Sequence, residues 1–173
     1  MHLGSKAELD AIRAECRALV NRSAGLSGAA AALPVPAADL GVDVSLLLSL
    51  IPAINRRFGL SPDQVGQLDV RSKQLLLVGV TSVGSQLIGK AITARLIVQV
   101  LARLGVRITL KAAAKWVPIV GQAAAAAISF ATMRFVGLRH VEDCYRVALK
   151  LHEPLPVAER VAVALPSGAV LQA

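Results

Sequence analysis

Aromatic side chains are nearly missing from this chain of 173 residues, which contains three Phe, one Trp and one Tyr. Proteins that hold single-stranded nucleic acid stack its bases on aromatic faces. We therefore expect no such platform, and since no segment has the pattern of a recognition helix, we expect no nucleic-acid partner. The hydrophobic residues, 55% of the chain, are mainly Ala, Val, Leu and Ile.

Cysteine and histidine are scarce, with two Cys and three His. Cys16 and Cys144 lie too far apart in sequence to form a CxxC motif, so a disulfide framework is not expected. His140, Asp143 and Cys144 share one helical face, but a zinc site needs further ligands and the sequence has no second cluster. We therefore expect an amphipathic helix with Cys144 buried, and no metal, cofactor or catalytic residue. An enzyme that uses the His140 and Cys144 region is the weakest of three hypotheses.

Acidic residues are few in the second half of the chain. Residues 1–70 carry a net charge of −1, residues 71–150 carry +10, and the last 23 residues carry −1. A basic segment that is apolar and poor in aromatics favours an anionic membrane surface first and an acidic protein partner second. Glu8, Asp10 and Glu15 interrupt any apolar leader segment, so we expect the protein to stay on the cytoplasmic side.

Alternation with period two is also lacking, and apolar residues recur instead at helical spacing. Ser5 and Glu8 form one capping box, and Ser61 and Gln64 form another. A long apolar segment follows Asp69 and extends from residue 70 to 104. The sequence predicts an all-α protein, a compact bundle of helical hairpins over residues 1–152, followed by an extended or disordered tail over 153–173. Pro52 predicts a kink or break in the second helix.

The string GSQLIGK at residues 84–90 matches the core of a P-loop. The motif requires Ser or Thr next, to bind the metal, and this chain has Ala91. No strand–helix alternation surrounds it. We interpret Ser85, Gly89 and Thr93 as a small-residue face on a helix, which lets two helices approach closely. The same spacing recurs in three other sets: Ser23, Ser27 and Ala31; Ser45, Ser49 and Ala53; Gly121, Ala125 and Ser129.

Three uncharged segments, 23–38, 74–89 and 116–133, invite comparison with membrane spans, which need about 20 apolar residues. Only the third is long enough, and its alanines make it marginal. The row of cations before it suggests an interfacial anchor instead, with a tryptophan at the apolar boundary. An ordinary solvated helix face explains such a row equally well. The candidate lipid- or partner-binding residues are Arg95, Arg103, Arg107, Lys111, Lys115 and Trp116.

Asp39 and Asp43 are the only charged residues between Ser23 and Asn55. Asp39 suits the first turn of a helix, where acids complement the macrodipole. Asp43 is a candidate for a buried ion pair with Lys90, Arg134 or Arg139, because a buried charge needs a partner.

Residues 33–65, LPVPAADLGVDVSLLLSLIPAINRRFGLSPDQV, resemble a segment of the helical C-terminal domain of immunity-related GTPases and of small bacterial helical membrane proteins of the YcjF type. The shared features are the Pro-x-Pro entry, the VDVSLLL run with Asp43, the FGL end and the capping box after it. VPIVGQ at 117–122 resembles a second entry of those bacterial proteins. The resemblance implies an all-α domain that associates with membranes or works beside a GTPase. This chain has no GTPase domain, so nucleotide hydrolysis is not implied.

Our first hypothesis is a non-enzymatic helical protein that binds or shallowly inserts in an anionic membrane and forms a homo-oligomer through its small-residue faces. It would lie at the cytoplasmic face of a membrane in a bacterial-type cell. The alternative is a soluble helical module that docks its basic half on an acidic partner, such as a separately encoded GTPase.

Overall fold

Six helices make up all the regular secondary structure in the part of the chain that the computed structural model describes, which is residues 5–33, 38–103 and 120–152. They are α1 (Lys6–Ala31), α2 (Ala38–Arg57), α3 (Pro62–Gly66), α4 (Val70–Val83), α5 (Ala94–Arg103) and α6 (Val120–His152). Over these ranges the predicted all-α fold is confirmed. The predicted tail, 153–173, lies outside them.

Three helices begin at the polar residues expected to cap them. The Ser5 hydroxyl accepts a hydrogen bond from the Glu8 N–H, and the Asp69 carboxylate accepts one from Ser72. Ser61 and Gln64 form a complete capping box, with bonds in both directions. Each cap satisfies N–H groups that the first turn of a helix leaves unpaired, which is why local sequence predicts these starts.

Pro52 does not break α2, which is helical from Ala38 to Arg57. Proline removes one backbone donor from the helix interior, which usually costs about 3 kcal/mol. The flanking residues Leu50, Ile51 and Ile54 are almost fully buried. Their packing against the core offsets the lost hydrogen bond, so tertiary contacts override the local helix-breaking tendency.

Helices α1 and α6 form the most extensive interface, and α6 also packs against α2 and α4. Small residues allow the approach. Two of the predicted small-residue faces are buried: Ser23, Ser27 and Ala31 on α1, and Ala125 and Ser129 on α6. Gly28 leaves so little room that an added Cβ would lie 3.2 Å from both the Ala126 carbonyl oxygen and Phe130 Cβ. Gly121 belongs to α6, and its burial is not described.

Charged groups join one end of the α1–α6 interface. The Arg13 Nε donates to Glu142 Oε1 at 2.9 Å, and the guanidinium lies over the Tyr145 ring, 4.6 Å from its centroid. The Tyr145 hydroxyl donates to Asp10. These contacts fix the register of the two helices beside an apolar core formed by residues such as Val20, which is fully buried.

The predicted helix through residues 84–93 is wrong. Helix α4 ends at Val83, and Gly84 caps it in the left-handed region with φ +70°. Gly89 also has a positive φ, +69°, and α5 begins only at Ala94. Ser85 and Gly89 therefore lie in a loop and form no helix-packing face. The P-loop alternative fails as well, because a helix rather than a strand precedes this loop.

The prediction of a small-residue packing face on α2 is also wrong. Ser45 and Ser49 on α2 are exposed and Ala53 is half-buried, because the apolar face of α2 is centred on Leu47, Ile51 and Ile54. Spacing by four predicts that residues share a face, but it does not say whether that face points inward.

Candidate functional site

Asn55 is the centre of a buried polar cluster that joins α2, α6 and the 84–93 loop. Its side chain is 1% exposed. The Asn55 Nδ2 donates to the Leu87 carbonyl oxygen at 3.0 Å, and Oδ1 lies 2.9 Å from His140 Nε2. A side chain 32 residues earlier in the chain therefore helps to hold the loop, together with the Gly89 N–H, which donates to the Leu60 carbonyl oxygen at 3.2 Å.

This arrangement assigns the tautomer of His140. Nδ2 of Asn55 donates to the Leu87 carbonyl oxygen, so the atom that faces His140 is the amide oxygen. An amide oxygen can only accept a hydrogen bond. His140 Nε2 must then carry the proton, and Nδ1 is left as an acceptor. Burial lowers the pKa of His140 from 6.5 to about 4, so the ring is neutral at physiological pH.

Cys144 completes the cluster one turn after His140. Its Sγ lies 3.5 Å from Asn55 Oδ1 and 3.5 Å from His140 Nε2. The predicted burial of Cys144 is confirmed, with no part of the side chain exposed. Burial raises the pKa of the Cys144 thiol, and that of Cys16 to about 11. The thiolate, which is the form that attacks substrates or binds metals, is therefore disfavoured at both positions.

A cavity of about 220 Å³ that is open to solvent lies beside this cluster, between the 84–93 loop, α5 and α6. Its walls are mostly apolar. The residues that line it are Gly84, Ser85, Gln86, Leu87, Val100, Phe135, Val136, Arg139, His140 and Asp143. Three polar residues of α6, Arg139, His140 and Asp143, therefore border a largely hydrophobic space.

Two buried acceptor atoms of residues beside this cavity have no hydrogen-bond partner. Among the buried side-chain atoms of the described ranges, only His140 Nδ1 and Asp143 Oδ1 lack one. Arg139 Nε lies 3.3 Å from Asp143 Oδ1, at ion-pair distance but without hydrogen-bond alignment. Burial raises the pKa of the Asp143 carboxyl against the opposing effect of Arg139. Buried acceptors without a hydrogen-bond partner are rare in folded proteins, and here both belong to neighbouring turns of α6.

Asp43, the candidate for a buried ion pair, is buried as predicted. It accepts hydrogen bonds from two serine hydroxyls, one from Ser27 on α1 and one from Ser129 on α6 at 3.3 Å. Two of the cations predicted as ion-pair partners of Asp43 contact other residues. Arg134 Nε donates to Asn21, and Arg139 pairs with Asp143. The carboxylate therefore links α2 to the α1–α6 pair through hydroxyl donors that the small-residue faces provide.

The predicted basic row is described only at its start. Arg95 is exposed on α5, and Arg103 is the last residue of that helix. Ile97 and Leu101 face the core, which leaves Arg95 and Val98 on the outer side. Arg107, Lys111, Lys115 and Trp116 lie outside the described residues.

Helix α4 exposes three apolar side chains among polar and charged ones. Val70 is 74% exposed, Leu77 68% and Val78 57%. At 100° per residue, these side chains lie in one outward sector that also contains the exposed Gln74 and Thr81. Arg71 and Lys73 lie on the two sides of this sector. The Lys73 ammonium also donates to the Gly66 carbonyl oxygen at 2.9 Å. The sequence marked 74–89 as an apolar segment but did not show which side of it would face outward.

Within the described ranges, no helix combines the length and the apolar composition needed to cross a bilayer. Among the same residues, no group of three or more His, Cys, Asp and Glu could hold a metal ion.

Asn55 and the cavity were missed at the sequence level. One signal was present: Asn55 follows Ile51 by four residues and precedes Phe58 by three, so it lies on the buried face of α2. A buried Asn must find hydrogen-bond partners, but sequence spacing alone cannot say that they are Leu87 and His140.

Comparison of the chain with protein-family models, with curated proteins and with solved structures gives no significant match.

Proposed function

We propose that this chain is a non-enzymatic helical protein that binds the surface of an anionic membrane, with α4 as a contact. The observation that carries the proposal is the exposure of Val70, Leu77 and Val78 in one sector of α4, with Arg71 and Lys73 at its sides. The uncharged Gln74 and Thr81 are exposed in the same sector. Helices that lie in a membrane interface have this arrangement, with apolar side chains entering the acyl boundary and long cations reaching the headgroups.

The charge of the chain favours an anionic surface over a neutral one. The formal net charge is +8, and each Lys or Arg close to an anionic membrane contributes about 1 kcal/mol. Full burial of a Val or Leu side chain contributes about 1.5–3 kcal/mol. One short helix with three such side chains therefore supports reversible binding, and the basic row beyond Arg103 would add to it.

Shallow contact fits the core better than deep insertion. The opposite side of α4 packs against the core. Leu76 is buried there, and a Cβ added at Gly79 would lie 3.6 Å from Val147 Cγ1 of α6. A bilayer contact that used only the outer sector would leave this packing intact. The resemblance to the helical domain of immunity-related GTPases and to YcjF-type proteins also supports the proposal that the chain binds a membrane, at its cytoplasmic face.

Self-association is a separate part of the proposal. The faces of small residues that suggested it, on α1 and α6, are used within the chain. A homo-oligomer would therefore form through another surface, and light scattering coupled to size exclusion measures its size directly.

Vesicle co-sedimentation tests the membrane proposal. The wild-type chain is expected to bind phosphatidylcholine vesicles that contain phosphatidylserine, and to bind pure phosphatidylcholine much less. Leu77→Gln with Val78→Gln should reduce binding about tenfold or more, since two apolar contacts are lost. Leu26→Gln is the matched control, because Leu26 is 55% exposed on α1. Arg71→Gln should weaken binding more at low salt than at high salt, whereas Arg22→Gln on α1 should have little effect.

Equal binding by the Leu77 and Val78 variant and by the wild type would rule out α4 as the contact. Failure of the wild type to bind any vesicle would instead favour the alternative, in which the basic half docks on an acidic protein such as a GTPase.

Alkaline carbonate extraction of membranes from producing cells distinguishes surface binding from insertion. Release into the supernatant supports surface binding, and retention in the pellet would show insertion.

A further inference from the structure

We propose that the outer face of α6 docks an amphipathic helix of a partner protein, one whose apolar face is flanked by acidic residues. A groove of about 570 Å³ lies along this face. We call it the α6 groove, and the residues that line it include Phe130, Ala131, Arg134, Phe135 and Leu138. Among the described residues, none from α4 lines it, so the inference does not rest on the membrane proposal.

Two aromatic rings give the α6 groove its apolar surface. Phe130 is 41% exposed and Phe135 is 59% exposed, although Phe is among the residues most often buried. They are five residues apart, about 7.5 Å along the helix axis, and Ala131 contributes only a methyl group between them. A leucine side chain of a second helix fits such a space, because packed helices place the side chains of one between those of the other. The groove therefore offers the apolar anchor points that recognition of a helix requires.

Cations lie on both sides of the α6 groove. At 100° per residue, Arg134 lies on one side of the apolar lining residues and Arg139 on the other. Arg146 follows Arg139 by two turns on the same side and is exposed. The Nε atoms of Arg134 and Arg139 contact Asn21 and Asp143, and Nε carries one of the five N–H donors of a guanidinium. Each of these side chains can therefore also bind a carboxylate of a partner.

Glu142, which also lines the α6 groove, does not cancel this positive charge. Its Oε1 accepts a hydrogen bond from Arg13 Nε at 2.9 Å and lies 3.4 Å from a terminal nitrogen of Arg17. Two arginines of α1 therefore offset the charge of one carboxylate. The surface around the groove is net positive, which attracts acidic side chains and repels basic ones.

A partner helix fits this surface better than a bilayer or a second copy of the chain. The Glu142 side chain is 22% exposed within the groove. Lipid chains over it would remove water from a charged carboxylate, which is unfavourable, whereas a helix can keep a polar group or a water molecule at that position. A second copy docked by the same groove would bring its own arginines against those of the first, and like charges that face each other are unfavourable.

Synthetic peptides test the inference on the full chain. The probe is a helical peptide of about 18 residues, long enough at 1.5 Å per residue to extend from Phe130 to Arg146. Leucines at helical spacing form its apolar face, and glutamates flank that face. A second peptide has lysine in place of every glutamate. Fluorescence anisotropy should give a dissociation constant about tenfold or more lower for the glutamate peptide, and this difference should shrink at high salt.

Variants of the chain locate the bound peptide. Phe135→Gln removes one ring from the α6 groove and should weaken binding of the glutamate peptide about tenfold. Val98→Gln is the matched control and should bind as the wild type does, because Val98 is 48% exposed on α5 and does not line the groove. Arg134→Glu with Arg146→Glu should weaken binding of the glutamate peptide and strengthen binding of the lysine peptide. Circular dichroism checks that each variant folds, and the comparison of the two peptides on the wild type stands without the variants.

Four results would overturn the inference. No binding of the glutamate peptide to the wild type, or equal binding of both peptides, would exclude an acidic helix as the partner. Unchanged binding by a folded Phe135→Gln variant would place the peptide elsewhere. If Phe135→Gln reduced binding to phosphatidylserine vesicles as strongly as the Leu77 and Val78 variant does, this face would belong to the membrane contact. A wild-type dimer in light scattering that Phe135→Gln abolishes would assign the face to a second copy of the chain.

Discussion

Gly137 of α6 lies against Val20 of α1, and replacing it with alanine should destabilise the fold. A Cβ added at Gly137 would lie 2.7 Å from Val20 Cγ1 and 2.8 Å from Cγ2. Carbon atoms in favourable contact are about 3.5–4.0 Å apart, so the methyl group overlaps both. Val20 is fully buried and β-branched, so it has no free rotamer to adopt.

The expected magnitude is a balance of two effects. Overpacking of a well-packed core costs about 1–3 kcal/mol, and the rigid Val20 places this site at the upper end. Alanine in a helix interior is about 1 kcal/mol more favourable than glycine. The net expectation is about 2 kcal/mol of destabilisation. For a chain of this length, that corresponds to a melting temperature about 4–8 °C lower.

Urea and thermal denaturation of Gly137→Ala measure the effect, with Gly25→Ala as the matched control. Gly25 lies inside α1, and an added Cβ there meets nothing within 4 Å. That variant should therefore be up to about 1 kcal/mol more stable than the wild type. In a Val20→Ala background, Gly137→Ala should lose most of its cost, which a double-mutant cycle reports as coupling. If Gly137→Ala is as stable as Gly25→Ala, the close approach of α1 and α6 is wrong.

Three further predictions concern the loop and the buried cluster. Gly89→Ala should destabilise by about 1 kcal/mol in urea denaturation, because φ at this glycine is +69°, and an unchanged midpoint would contradict the left-handed loop. Asn55→Ala should lower the free energy of unfolding by about 3 kcal/mol, since it leaves the His140 Nε2–H and the Leu87 carbonyl oxygen without hydrogen-bond partners. Asn21→Ala, at the exposed contact with Arg134, should lower it by less than about 1 kcal/mol. Because burial lowers the pKa of His140 from 6.5 to about 4, the unfolded chain binds more protons between these values. About 3 kcal/mol of stability, present above pH 6.5, should therefore be lost as the pH falls to 4, and the His140→Gln variant should not show this loss. If urea denaturation gives the same pH dependence of the unfolding free energy for both proteins, the prediction is wrong.

Local sequence predicted the elements whose causes are local. Ser5, Ser61 and Asp69 cap helices because their side chains reach N–H groups two or three residues away, which needs no tertiary contact. The burial of Asp43 was predicted from its isolation in an apolar segment. Its serine partners, Ser27 and Ser129, belonged to two predicted small-residue faces, although their link to the carboxylate was not foreseen.

The 84–93 loop shows where local reasoning failed. Spacing by four made Ser85 and Gly89 look like one helical face, and nothing nearby contradicts that pattern. The chain leaves the helix at Gly84 because Leu87 and Ile88 bury themselves in the core, and Asn55 binds the Leu87 carbonyl. Burial and a buried hydrogen bond outweigh the helical propensity of the segment, and both depend on residues distant in sequence.

The sequence by itself determined the all-α class, the capped helix starts, the basic second half and the burial of Cys144, because periodicity, capping and composition act over a few residues. Only the tertiary structure decided that Asn55, His140 and Cys144 meet, that the cavity opens beside them, and that one side of α4 faces outward. The contact between Asn55 and His140 joins residues 85 apart in the chain. Such a contact is set by how whole helices pack, which no short window of sequence contains.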